Sequence, residues 1–535
     1  MDLFWHRQDL RVADNIGLAA AARRSDDEVA PVFVFDDDVL AHASDVRVRR
    51  LLDGLAALQD TYRSLGADLL AARGDPADVL PALAAALDAD RVVWNRDYSG
   101  LARERDAGVR RALNEADIAR EAHHDAVIHE PDAIRTNAGD PYSVFTYFGR
   151  KWVDRPADDP VSSPDPEALA APDALEAVVG SDVLKEAVDS DALTEAGGSG
   201  SRRETVENGG TGGAGDGATV GAPSVRVGEL PAPADLGFAE PDADLDAAGT
   251  AAARERLDRF LAEDVFRYAA DRDYPSRDCP SRLSAHLTYG EIGIRETYAA
   301  TEAALAAAEA GDVPESVAAS DADPVEGVEE FRDQLAWREF YTQVLYHNPE
   351  VVTENYKSYE EGIEWRDDPA EIAAWKRGET GYPIVDAGMR QLLAEGYMHN
   401  RVRMIVASFL TKDLLADWRH GYDHFREHLA DHDTANDNGG WQWAASTGTD
   451  AQPYFRIFNP MTQGERYDPD AEYITEHVPE LRGVDPDLIH EWHDLMAVQR
   501  ANAAPKYPDP IVDHSQRREQ ALAMYKRARG EDPEA

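Results

Sequence analysis

GGWQWAASTGTDAQPYFRIFNP, residues 439–460, places Trp441 and Trp443 two residues apart behind a Gly-Gly break. Asp431 and Asp433 stand just upstream in DHDTANDN. Paired indoles beside a break of small residues build a flat slot, so this stretch predicts a site for something planar. Two segments further upstream, LAWREFY (335–341) and YMHNRVRM (397–404), carry aromatic, amide and arginine side chains of the same kind. Seven of the ten tryptophans lie between Trp337 and Trp492, which concentrates aromatic chemistry in this half. Helical periods with Gly and Pro punctuation run over 252–268, 281–308, 327–346 and 388–418 and predict an all-α domain over residues 251–520.

Ahead of that domain the rhythm changes. Residues 3–5, 29–35, 69–72 and 91–94 read as short buried strands, separated by helical periods over 48–65 and 76–87. They predict an α/β N-terminal domain over residues 1–135, a doubly wound parallel sheet. Ligands of such sheets sit beyond the carboxyl ends of the strands, where Arg7, Gln8, Asp9 and Asp36 to Asp38 fall. Neither a P-loop nor GxGxxG occurs within residues 1–135, so an ordinary nucleotide phosphate site is not expected there. Residues 136–250 read as an interdomain connection, with a Gly-rich insertion near 190–225 too polar to repay ordering. Residues 521–535 read as a C-terminal tail.

The formal net charge is −49, and only seven of the 54 basic residues are lysine. Abundant carboxylates with few lysines predict a protein kept in solution at high salt, where self-repulsion is screened. Cys279 is the single cysteine, which rules out an intramolecular disulfide and a cysteine-ligated zinc cluster. No run approaches the ~18 apolar residues of a membrane span, and MDLFWHRQDLRV at the N-terminus is charged where a signal peptide is apolar. A cytoplasmic monomer without a membrane partner is expected.

The quoted segments together resemble the DNA photolyase/cryptochrome flavoprotein family, and within it the class I cyclobutane-pyrimidine-dimer photolyases. The resemblance implies FAD, reduced in the active state, in the all-α domain. It also implies an antenna chromophore in the α/β domain, with deazaflavin favoured over methenyltetrahydrofolate by NRDYSGLARERD (95–106). Around the flavin it implies Tyr268 and the run Pro280, Ser281, Arg282, Leu283 and Ser284 at the diphosphate, where Pro280 replaces a usual threonine. Asp278 or Cys279 would cap a helix whose first turn holds Pro280. Asp431, His432 and Asp433 would hold the ring edge and ribose, with Arg403 bonded to Asp431. Two close carboxylates also suit a cation, but beyond His432 no further ligand stands at metal spacing there, and no metal is expected.

Asp437 stands where photolyases usually carry the asparagine that faces flavin N5. Plant-type cryptochromes have an aspartate there that can donate a proton, and burial beside a charged flavin should favour the neutral acid. Trp441, Trp418 and Trp365 match the family's electron-transfer relay to the surface. Trp337 and Trp443 match the indoles that receive a flipped-out dimer, with Asn400, Arg401 and Met404 around it. Arg272, Gln334, Arg338, Tyr341 and Gln463 complete the implied DNA surface, Gln334 replacing a glutamate. Residues 396–412 lack acids, so Arg401, Arg403 and Lys412 predict a local basic patch to which Arg272 and Arg338 add. The implied activity is light-driven repair of pyrimidine dimers in damaged DNA. The alternative is a blue-light photoreceptor of the cryptochrome kind.

Overall fold

A computed structural model describes residues 1–24, 28–179, 224–277 and 279–532. The Gly-rich insertion and Asp278 lie outside the described residues.

The first domain is a six-stranded sheet of β1 (Asp2–His6), β2 (Val29–Phe35), β3 (Leu70–Arg73), β4 (Arg91–Asn95), β5 (Ala119–His123) and β6 (Ser224–Val227). Its order is β5-β4-β1-β2-β3-β6. All pairs are parallel except β3 with β6, which run antiparallel with Leu70 opposite Val227. The central strands are buried on both faces, which is why they read as unbroken apolar runs. Leu3, Trp5, Val32 and Val34 feed one core, and Phe4, Phe33 and Phe35 feed the other.

Two expectations need correction, and one strand went unread. β6 comes from residues assigned to the connection, and Leu169 also bridges back to Val29. Four residues bordering a glycine-rich run give too short a pattern to register as a strand. β5 (AREAH) has no buried residue, so it too lacked an apolar signature. Residues 521–528 are not tail: the His514–Ala528 helix buries Ala521, Met524 and Tyr525 against Leu415, with Trp365 packed alongside.

The second domain is helical from Thr250 onward. The period over 281–308 divides into Ser284–Thr288 and Ile294–Ala310, with Gly290 in the left-handed region between them. A side chain at Gly290 would collide with the backbone of Gln8 and Asp9, so this break is where the two domains touch. Buried ion pairs fix the contact. Arg295 Nε bonds Asp14 at 2.9 Å and its Nη2 bonds Asp125 at 2.7 Å, while both Arg50 terminal nitrogens bond Glu291 at 2.6 Å. Such pairs repay desolvation only when their hydrogen bonds are well formed, so they fix geometry more than they add stability. Glu339 completes the joint, accepting from the amides of Ile128 and His129 and from Trp152 Nε1. Burial outweighs those donors and pushes its carboxyl up to about 7.

Candidate functional site

The Thr434–Ala444 helix organises the site. Asp433 caps it, accepting from the Asn436 amide at 2.8 Å. Asp437 and Trp441 follow one turn apart and both are buried. Gly439 is small because the Tyr341 ring lies where its side chain would be, whereas Gly440 faces open space. Arg403 Nη2 grips both carboxylate oxygens of Asp431, at 2.8 and 3.0 Å, and its Nε bonds Met398 O. Arg403 Nη1 also lies 3.8 Å from Asp437 Oδ1, and His432 Nδ1 lies 2.6 Å from Asp437 Oδ2. Asp437 thus sits between two groups able to carry positive charge, an environment that its place in the sequence did not disclose.

The proposed diphosphate element differs from its expected form. The helix begins at Ser284, so Pro280 and Ser281 precede it and do not form its first turn. Arg282 is the reason: its left-handed φ of 48° interrupts helical winding. Its guanidinium pairs with Glu395 at 3.0 Å and Asp246 at 3.4 Å and lies over the Tyr397 ring. Ser281 Oγ accepts from Leu283 N, Leu283 is buried, and Ser284 is exposed. Tyr268 packs edge-on to Phe260 and Phe331, and burial pushes its phenol up to about 12.

The three tryptophans expected to form a relay differ in burial. Trp441 and Trp418 are buried, and Trp365 is half-buried. Trp441 lies over Gly421, one turn beyond Trp418 on the Trp418–His428 helix, where a side chain would displace its ring. Arg366 N bonds Leu415 O at 2.7 Å, which lays the Trp365 segment beside the residues leading into Trp418. Trp418 Nε1 donates to Asn355 Oδ1 at 2.8 Å, and Tyr525 meets Trp365 edge-on.

Trp337 and Trp443 are both half-buried. Phe145 stacks on Trp337 with centroids 3.7 Å apart, and the Tyr341 ring lies tilted against the same indole at 5.5 Å. Gln334 Oε1 accepts from Arg272 at 3.1 Å, Arg272 also pairs with Glu330, and Gln334 Nε2 donates back to Glu330. Asn400 is exposed, Met404 half-buried, and the buried Oε1 of Gln463 lacks a hydrogen-bond partner. The basic patch is corrected. Lys412 is fully buried against Ser446 Oγ and the Tyr525 ring, and burial pushes its ammonium well down. Arg338 turns inward to the carbonyls of Ala126 and Leu287, and Arg401 pairs with Asp273 at 2.6 Å. A run without acids in sequence does not keep acids away in space.

A cavity of about 290 Å³ opens at the carboxyl edge of the sheet, where the strand order reverses between β1 and β4. Arg7, Gln8 and Asp36 line it, as do Tyr98 and Arg105, and it extends to His432 and Asp433 of the helical domain. Asp9 does not face it: buried, it accepts from Arg7 N. Among the described residues Arg105 Nε and Nη2 and the Tyr98 hydroxyl are buried without hydrogen-bond partners, although Asp106 and Asp36 approach the guanidinium to 3.8 and 3.9 Å, and burial pushes it down to about 10. Unpartnered donors at a switch-point cleft mark a place built for acceptors. Sequence reasoning reached the cleft through residues 95–106 but missed Glu339, whose role rests on contacts more than 180 residues away.

An α/β sheet and a helical module that close on a shared cleft define the two-domain class of protein to which this chain belongs. Residues 2–169 match the model described as DNA photolyase, and residues 331–527 match the FAD binding domain of DNA photolyase. The chain is 58% identical to a deoxyribodipyrimidine photo-lyase of Halobacterium salinarum, covering 99% of this chain and 100% of that protein. It is similar to a crystal structure of a bacterial class III photolyase from Agrobacterium tumefaciens, with TM-score 0.78, 32% identity, and coverage of 99% and 98% of the two chains. It is also similar to an archaeal photolyase from Sulfolobus tokodaii solved with two FAD molecules, with TM-score 0.74, 29% identity, and coverage of 98% and 100%. The chain belongs to the DNA photolyase family.

Proposed function

We propose that the protein is a deoxyribodipyrimidine photo-lyase that repairs cyclobutane pyrimidine dimers in DNA under light, acting as a cytoplasmic monomer. The observation that carries this reading is the double use of one helix. Its buried side presents Asp437 and Trp441, and Trp443 stands half-buried beyond them, past the open face at Gly440. A light sensor needs the first set only.

The donor set suits FAD. Asp431 with Arg403, Asp433, and the hydroxyls of Ser281 and Ser284 offer anion, cation and neutral partners, and Asp433 borders the cleft between the domains. FAD, when bound and reduced, supplies a light-driven electron to the dimer and recovers it. The chain's own residues bind and orient. Trp443 and Trp337 replace the stacking a dimer loses on leaving the duplex. Asn400 and Gln334 offer hydrogen bonds to base edges, and Gln334 is already oriented by Arg272. Arg272 and Arg401 each hold a carboxylate partner, so phosphate attraction is weak, and concentrated salt weakens it further. Lesion capture then rests on flipping and stacking.

The cleft beside Arg105 and Tyr98 is the antenna site in this reading, with a deazaflavin as its ligand. The unpartnered donors there suit an oxygen-rich ring. The Sulfolobus tokodaii structure holds two FAD molecules, so a second flavin is the competing ligand. Mass analysis of chromophores released from the purified protein distinguishes the two.

Replacing Trp443 with alanine tests the repair reading. Affinity for dimer-containing DNA should fall by about 1–3 kcal/mol, the worth of one aromatic stack, with FAD content retained. Equal affinity of the unaltered protein for damaged and undamaged DNA would remove the proposal.

A further inference from the structure

We propose that His424, Glu427 and His428 form a binding site for a divalent transition-metal ion of the zinc class, separate from the flavin and DNA sites. The three residues occupy positions i, i+3 and i+4 in the last turn of the Trp418–His428 helix and so share one face. One ligand atom from each lies within 4.8 Å of the others, and the two imidazoles are 4.5 Å apart.

The second observation is the state of His424. It is 4% exposed, and among the described residues neither ring nitrogen has a hydrogen-bond partner. The Lys376 backbone approaches closely enough to favour the charged ring slightly, but not in hydrogen-bonding geometry. Buried imidazoles ordinarily find a partner, because an unsatisfied one costs stability. A ring orphaned at both nitrogens, facing a second histidine and a carboxylate, has a lone pair available for a metal.

The donor set selects the ion. Two imidazoles and one carboxylate suit zinc, cobalt, nickel or copper, whereas magnesium and calcium need more oxygens. The helix C-terminus adds a favourable field for a cation. The Lys376 ammonium acts against it on both rings. His428 and Glu427 reach the surface, with side chains 28% and 65% exposed, which gives the ion an entry path and leaves room for water as a fourth ligand. On the inner side, His424 packs against Trp375, and Trp375 meets Trp441 edge-on at 6.0 Å. A bound ion would stand one aromatic layer from the relay.

The test uses the full-length, flavin-loaded protein, cleared of metal with a chelator. Zinc chloride is added with magnesium in excess, and metal retained after desalting is measured by elemental analysis. One zinc per chain is expected, with a raised melting temperature. Cu²⁺ in place of zinc should give an EPR spectrum showing two nitrogen ligands and should quench tryptophan fluorescence. His428→Gln should weaken zinc binding by at least about tenfold, and because His428 is partly exposed this variant keeps its fold and its flavin. His424→Asn should abolish retention. Zinc uptake unchanged by His428→Gln, zinc displaced by the excess magnesium, or no retained zinc would each overturn the assignment.

Discussion

His432 Nδ1 and Asp437 Oδ2 lie 2.6 Å apart, both side chains buried, at the entry to the helix that carries Trp441. Asp437 is one of the family departures noted in the sequence, and His432 lies five residues before it. The structure makes them one unit, with Arg403 reaching the other carboxylate oxygen at 3.8 Å. The resemblance puts flavin N5 beside Asp437.

A double-mutant cycle tests that unit. Asp437→Asn and His432→Gln should each destabilise the flavin-loaded protein, and their effects should couple by roughly 0.5–3 kcal/mol in denaturant unfolding. Each change alone should alter the pH dependence of the absorption spectrum after illumination, and the double variant should resemble either single one. Additive effects would show two independent side chains.

Trp418→Phe should stop light from reducing oxidised FAD while chemically reduced enzyme continues to repair dimers. The variant also strands Asn355 Oδ1, at a cost of about 1 kcal/mol. Flavin content measured alongside separates that loss from lost electron transfer. Photoreduction at the normal rate would make the indole packing only.

Gly421→Ala should be more harmful than a helix propensity scale suggests, because the added methyl enters the space of the Trp441 ring. Overpacking of this kind costs about 1–3 kcal/mol. The displaced indole should also slow photoreduction, whereas the same change at Gly440, which faces open space, should be milder in stability. Equal melting temperatures for the two variants would contradict the packing described.

Glu339 gives a pH dependence with a definite sign. Its carboxyl is raised to about 7 in the folded protein, so the folded state holds the proton more tightly than the unfolded chain does. That contribution is complete below the ordinary value of about 4.3 and is lost as pH rises through 7. Relative to Glu339→Gln, the protein should therefore lose up to about 3 kcal/mol of stability between these limits. A stability difference flat in pH would show that the three N–H donors, not burial, set this group.

The sequence alone was sufficient for the fold class, an α/β domain followed by a helical one. Apolar runs at 29–35 and 91–94 and helical periods beyond residue 250 are local signals that burial on one or two faces imposes on the chain. What faces what was decided by tertiary structure. The edge strand Ser224–Val227, the inward turn of Arg338, the carboxylate partners of Arg272 and Arg401, and the burial of Lys412 all depend on segments distant in the chain. Charge and hydrogen bonding act over a few ångströms of space, and sequence separation does not measure that distance. An acid-free run therefore becomes a neutralised surface, and a lone histidine becomes a partner for Asp437, only once the chain has folded.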